Sequence, residues 1–319
     1  MCTAISYTGT SHFFGRNLDL EYGYREQVVI TPRHFPFRFR CGYLLPHHYA
    51  MVGMATVANG EPLYYEATNE RGLSIAGLNF PESAAYQPKT AGKDNIAPYE
   101  LIPWILGQCD TVSQAKKLLQ RLSVWALPYS REFPLSPLHW MIADKDSCVV
   151  AEPMAEGLKI YENSVRVLTN EPPFPYHMHR LADFMQLSPK QAENRFPGLA
   201  LKPYSNGMGA LGLPGDFSSV SRFVRAAFVR CNSERQGSDI SQFFHILSSV
   251  AMPGGSVQID GKSEITRYAC CCDTENGIYY YATYDNPRLR AVRLCSTPID
   301  SELLTVFDVM HKPDIFWQN

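Results

Sequence analysis

Short runs rich in β-branched and aromatic residues dominate the first eighty positions. Cys2 to Tyr7, Phe13 to Leu20, Gln27 to Pro32, Tyr49 to Val57, Leu63 to Thr68 and Leu73 to Phe80 each have the length and residue types of a strand. Gly, Pro, Asn and Ser separate them, and Asn69-Glu70-Arg71-Gly72 has the chemistry of a hairpin turn. Two helices are predicted next. Pro98 to Gln108 opens on a proline suited to a first turn. The second starts at Thr111 with Gln114 as its capping-box partner, and sets Val112, Ala115, Leu118, Leu119 and Leu122 on one face.

A proline-rich loop, Leu127 to Pro137, leads back to strand patterning in "LHWMIADKDSCVVAEP", "GLKIYENS" and "RVLTN". Two amphipathic helices follow, "SSVSRFVRAAFVRC" and "DISQFFHILSSVA", the second capped by Ser238 or Asp239. The last strands are "EITRYACCCDTENGIYYYATYD", turning at Asn276-Gly277, and "RAVRLC". Strands, helices, strands, helices, strands is not βαβ alternation. The order predicts an α+β fold with antiparallel sheets and helices on the outer faces. No repeat or linker divides the chain, so a single domain over 1–319 is expected.

Hydrophobic residues make up 45% of the chain and charged ones 19%, enough apolar material for an extensive core. A net charge of −2 without a Lys/Arg block argues against nucleic acid or an anionic membrane as partner. No apolar stretch is long enough to span a bilayer, and the opening residues do not read as a signal peptide. With nine scattered cysteines, the expectation is a cytoplasmic protein with free thiols.

The chemistry starts at Cys2. Removal of Met1 would leave a residue carrying both a thiol and a free α-amine, a nucleophile with a built-in base. The alternative is a small hydrophobe in a buried strand. In "GRNLD", Arg16 and Asp19 fall on opposite faces of a strand unless a bulge near Asn17 brings them together. There a guanidinium would favour thiolate and a carboxylate would orient the amine. Asn79 and Asn170 each close an apolar run, where an amide either makes a turn or donates to an oxyanion. Arg222 and Arg225 are helix neighbours, of which one could point inward. Cys270-Cys271-Cys272 alternates faces and lacks the spacing of a metal site, and the His47-His48 and His177/His179 pairs lack a matching carboxylate. No metal or cofactor is expected. Phosphate-loop, dinucleotide, zincin and serine-hydrolase signatures are missing.

Together these pieces resemble the choloylglycine hydrolase family of N-terminal-nucleophile hydrolases, which includes bile salt hydrolases and penicillin V acylases. The resemblance runs along nearly the whole chain, through "MCTAISY", "FGRNLDLEYGYREQVVITPR", "GLSIAGLNF", "LIPWILGQC", "LSPLHWMIADK", "VLTN", "ALGLPGDFSSVSRFVRAAF", "ISQFFHILSSV" and "GIYYYATYDN". It implies a four-layer αββα sandwich and a homotetramer. It also implies Cys2 as nucleophile with its α-amine as base, Arg16 and Asp19 flanking them, and Asn79 in the oxyanion hole. By the same resemblance Asn170 would orient the N-terminus and substrate, and Arg222 rather than Arg225 would be the site arginine. "GLNF" is similar to the bile salt hydrolase branch, with penicillin V acylase or another N-acyl amide hydrolase as the alternative. The implied substrate is a glycine- or taurine-conjugated bile acid. Its steroid would lie on Leu18, Leu20 and Tyr24, and on Trp125, Leu127, Phe133 and Leu135 of the proline-rich loop. One departure is Glu171, an acid in "TNEP" where that branch often has a second Asn.

Overall fold

The computed structural model of the chain describes residues 1–234 and 238–319. Two large antiparallel sheets pack face to face. The first has as its neighbours Val167–Leu168, Cys2–Thr8, His12–Leu20, Lys262–Asp273, Ile278–Thr283 and Arg290–Arg293, with Val257–Ile259 paired beside the fourth. The second runs Gly157–Glu162, Cys148–Met154, Leu138–Ala143, Ser74–Asn79, Glu61–Asn69, Met51–Ala58, Gln27–Thr31 and Thr305–Asp308. Helices Phe174–Leu181, Ser219–Cys231 and Asp239–Ser248 lie on the side of the first sheet, and Leu101–Gln108 and Val112–Arg121 on that of the second. The result is the expected αββα sandwich.

Layering explains the sequence pattern. Strands Cys2–Thr8 and His12–Leu20 are buried along almost their whole length, because one face meets the second sheet and the other the helices. A strand covered on both faces reads as a near-continuous apolar run, and any polar residue within it must find a partner inside. The outer helices show the complementary pattern of one apolar stripe. In Val112–Arg121, Val112, Ala115 and Leu119 are buried and Leu118 is half-buried.

Most predicted elements appear where the pattern puts them, including the turn at Asn69 to Gly72, where Gly72 has φ +87°. Several details differ. Leu122 does not extend the helix; it opens a short strand, Leu122–Val124, paired in parallel with Asp94–Ile96. Gln114 reaches past Thr111 to accept from the Asp110 N–H at 3.0 Å, while Thr111 Oγ1 caps Gln114 N at 3.3 Å. Helix Phe174–Leu181 and strand Thr305–Asp308 were not expected, since each is short and bounded by proline-containing or mixed sequence.

Candidate active site

The first hairpin places the site. Cys2 pairs with Leu18 and Ala4 with Arg16, so the Cys2 side chain shares a strand face with Arg16. Arg16, 1% exposed, points into the space between the sheets and donates to the carbonyls of Gly77 (2.5 Å) and Tyr65 (3.3 Å). Its Nε lies 3.8 Å from the Glu66 carboxylate, which also accepts from Tyr268 Oη at 2.8 Å, Tyr279 Oη at 2.7 Å and Cys270 Sγ at 3.4 Å. Burial works against the Arg16 charge, but Cys2, Tyr268 and Glu66 together hold its pKa above the ordinary value.

Asp19 lies on the other face, as period-two alternation requires. No bulge at Asn17 is needed. The irregularity sits in the neighbouring strand instead, where the register shifts between Thr266 and Tyr268 opposite Asp19 and Leu18. Asp19 Oδ1 accepts from Thr266 Oγ1 at 2.6 Å, and its Oδ2 stands 4.0 Å from Arg222. Burial pushes the Asp19 carboxyl above its usual pKa, opposed by Arg222. Arg16 and Asp19 therefore flank Cys2 from two sides, one at the side-chain face and one at the main chain.

Arg222 enters from helix Ser219–Cys231 and is fully buried. It donates to the Cys2 carbonyl at 2.5 Å, Thr3 Oγ1 at 2.7 Å and Asn170 Oδ1 at 2.7 Å. Asn170 Oδ1 also receives the Cys2 N–H at 2.8 Å, and Asn170 Nδ2 donates to the Asn79 carbonyl at 2.7 Å. Arg225 faces elsewhere, onto the carbonyls of Ser249 and Pro214. Among the described residues, the half-buried Asn79 side-chain amide makes no protein hydrogen bond, which leaves it available to a ligand. Met1 is present, so the Cys2 nitrogen is a peptide nitrogen here. The Met1 amine donates to the Asp19 carbonyl at 2.7 Å and forms an ion pair with Glu264.

The pair Asn79 and Asn170 is held from behind by two buried histidines. His139 bonds Glu152 and the Thr169 carbonyl, both at 3.0 Å, and stacks on Phe80 at 4.2 Å. His177 donates Nε2–H to the Asn170 carbonyl at 2.9 Å, and burial lowers its pKa to about 4, so it is neutral. Glu171 turns away from Asn170. Its carboxylate accepts from Glu82 N, Ser83 N and Ser83 Oγ and pins the loop after Asn79.

Of the expected steroid-binding residues, Tyr24 and Phe133 share the wall of a cavity of about 800 Å³, with Tyr129, Thr56 and Val57. Leu18 is buried opposite Cys2 and Leu20 is half-buried at the strand end. Trp125, Leu127 and Leu135 are not on that wall; Trp125 bridges to Gln87 beneath Lys89, and Leu135 is exposed. Glu66, Thr266 and Glu264 escaped the sequence reading. A charge in mid-strand, as in "YYEATN", or a polar-apolar-polar "EIT", was the available signal, and it looks the same on a solvated strand.

Facing antiparallel sheets between outer helices give the fold of the N-terminal-nucleophile hydrolases. A model of the choloylglycine hydrolase family, linear amide C–N hydrolases, matches residues 2–307, and the chain belongs to that family. It is 47% identical to the bile salt hydrolase/transferase of Lactiplantibacillus plantarum, over all of both chains. The C2A mutant of conjugated bile acid hydrolase from Clostridium perfringens superposes with TM-score 0.95 at 34% identity, also over all of both chains. Penicillin V acylase from Agrobacterium tumefaciens shares the fold, with TM-score 0.77 at 19% identity over 96% of this chain and 91% of that one. Among the described residues, no helix is long and apolar enough to cross a membrane.

Proposed function

We propose that this amide hydrolase cleaves glycine- or taurine-conjugated bile acids, using Cys2 as nucleophile once Met1 has been removed, within one domain spanning 1–319. The observation that carries the reading is the cradle around Cys2. Its nitrogen is held by Asn170 at 2.8 Å, its carbonyl by Arg222 at 2.5 Å, and Arg16 is buried on its side-chain face. Full-length similarity to the bile salt hydrolase/transferase supports the substrate.

The Cys2 thiolate attacks the amide carbonyl, and the electron pair of the carbonyl moves to oxygen as the C–S bond forms. The Asn79 amide donates to that oxyanion. The α-amine, having taken the thiol proton, gives it to the departing nitrogen of glycine or taurine as the C–N bond breaks. Water then attacks the thioester as the same amine takes its proton; the C–S bond breaks, the proton passes to the Cys2 sulfur, and the bile acid is freed. Arg16 favours the thiolate by its charge, and Arg222 and Asn170 keep the main chain of Cys2 in register. With Met1 attached, the nitrogen lone pair is delocalised into the peptide bond and cannot act as base.

Glu171 is committed to the loop backbone, which removes the main charge objection to an anionic conjugate. A homotetramer is part of the same reading. The segment from Met185 to Leu211 exposes Met185, Phe196, Leu199, Leu201, Tyr204 and Leu211, apolar side chains that association with other copies would cover.

Turnover of glycocholate, taurocholate and penicillin V by one preparation tests the assignment. Faster turnover of either conjugate supports it; preference for penicillin V replaces it with the acylase reading. In parallel, Cys2→Ser should fold like the parent and lose roughly 10³-fold or more of kcat. Retained activity would remove Cys2 from the mechanism.

A further inference from the structure

Glu264 is fully buried on strand Lys262–Asp273, two residues before the Thr266 that holds Asp19. One carboxylate oxygen forms an ion pair with the Met1 amine, and the other has no hydrogen-bond partner. Asp19 Oδ2 is also without one. Met1 is held in the ladder, giving its N–H to the Asp19 carbonyl at 2.7 Å and accepting the Asp19 N–H at 3.0 Å. The chain has thus built an anionic receptor for a primary ammonium at the start of its first strand.

Loss of Met1, on which the reading above depends, takes that ammonium away. A buried carboxylate left without a counter-charge is strongly unfavourable, more so than one exposed to water. The same cleavage creates a new amine one peptide unit further along, at Cys2. A peptide nitrogen there has one N–H, already given to Asn170 Oδ1 at 2.8 Å. An ammonium has three. With Met1 gone, both Glu264 carboxylate oxygens and Asp19 Oδ2 stand open, acceptors enough for the two additional donors.

We propose that Glu264 is a positioning residue of the processed enzyme, whose carboxylate serves as counter-ion to the Cys2 α-amine and holds it, with Asp19 and Asn170, beside the thiol. The charged and titratable groups acting at this spot are the Cys2 thiol and, on its own hairpin, Asp19 and Glu21, with Arg222 from the facing helix and Glu264 from the neighbouring strand. Glu264 is fully buried, and at this spot it adds a negative charge that stabilises the ammonium formed when the base accepts a proton.

The test uses chains from which intact mass shows Met1 to be absent, comparing the parent with Glu264→Gln. Removing the negative charge makes both the ammonium and the thiol lose their protons more readily. The acid limb of kcat/KM for glycocholate is therefore expected to move down by about half a pH unit or more, while kcat falls about tenfold and KM stays within about twofold. A lower kcat with an unmoved limb would mean a merely structural role and would overturn the proposal, as would a variant indistinguishable from the parent. Should Glu264→Gln not fold, Glu264→Asp retains the charge one methylene further away and should move the limb the same way by less; an unmoved limb there overturns the proposal equally. The pH profile of Cys2 alkylation by iodoacetamide needs no substrate and should shift in the same direction. It separates the two questions: a parent inactive on every bile conjugate refutes the substrate reading, while the alkylation profile still decides the role of Glu264.

Discussion

At the residue scale, the site divides its polar groups into those already satisfied and those left open. Arg222 and Asn170 are engaged with the protein, and their hydrogen bonds fix Cys2 rather than a ligand, while Asp19 is held by Thr266 through one carboxylate oxygen. The half-buried Asn79 side-chain amide is among those left open, positioned by its own carbonyl's bond to Asn170. A preorganised donor of this kind is worth most when charge develops on the substrate oxygen. Asn79→Ala should therefore lower kcat by about 10²–10³-fold with little change in KM. Steady-state kinetics on a bile conjugate check this; an equal loss confined to KM would instead make Asn79 a ground-state binding group.

Among the elements, the opening hairpin carries the site and is fastened at its far end by His12. Its ring bonds Ser6 Oγ at 2.8 Å on one side and Thr274 Oγ1 at 2.9 Å on the other, joining the first turn to the turn at Thr274 to Gly277. Burial lowers the His12 pKa to about 4. The unfolded chain, with a histidine near 6.5, takes up the proton first as pH falls. The stabilisation from neutral His12 is complete above pH 6.5 and is lost between about 6.5 and 4. Between pH 7 and pH 5 this one residue should account for about 2 kcal/mol of lost stability. His12→Asn is expected to start less stable at pH 7 and to lose less on acidification. Urea unfolding at the two pH values measures both slopes, and equal slopes would show that His12 is protonated in the folded protein.

Over the whole molecule, the described residues place apolar surface unevenly. Two cores are closed by the four layers, whereas the segment from Met185 to Leu211 leaves large side chains in solvent. The proposed homotetramer, which would cover that segment, predicts a particle of four times the 36.0 kDa chain mass in light scattering. Replacing Phe196 and Tyr204 by Ser should lower the mass without altering far-UV circular dichroism. A wild-type monomer would refute the tetramer.

The sequence by itself determined most of the succession of strands and helices and the turn chemistry, and it singled out Cys2, Arg16, Asp19, Asn79 and Asn170 as candidates, which only the family resemblance joins into one proposed site. Those signals are local: apolar periodicity, a glycine that can adopt positive φ, and a polar residue interrupting an apolar run. It could separate Arg222 from Arg225 only by resemblance, because both lie on one helix and only packing decides which enters the core. The tertiary structure alone decided the rest. It set Arg16 and Asp19 on two sides of Cys2 without a bulge at Asn17, placed Glu66 and Glu264 beside charges far away in the chain, and turned Glu171 onto a loop. The reason is physical. Strand alternation fixes which face a side chain takes, but the partner waiting on that face belongs to another layer, brought there by long-range pairing that no short window of sequence contains.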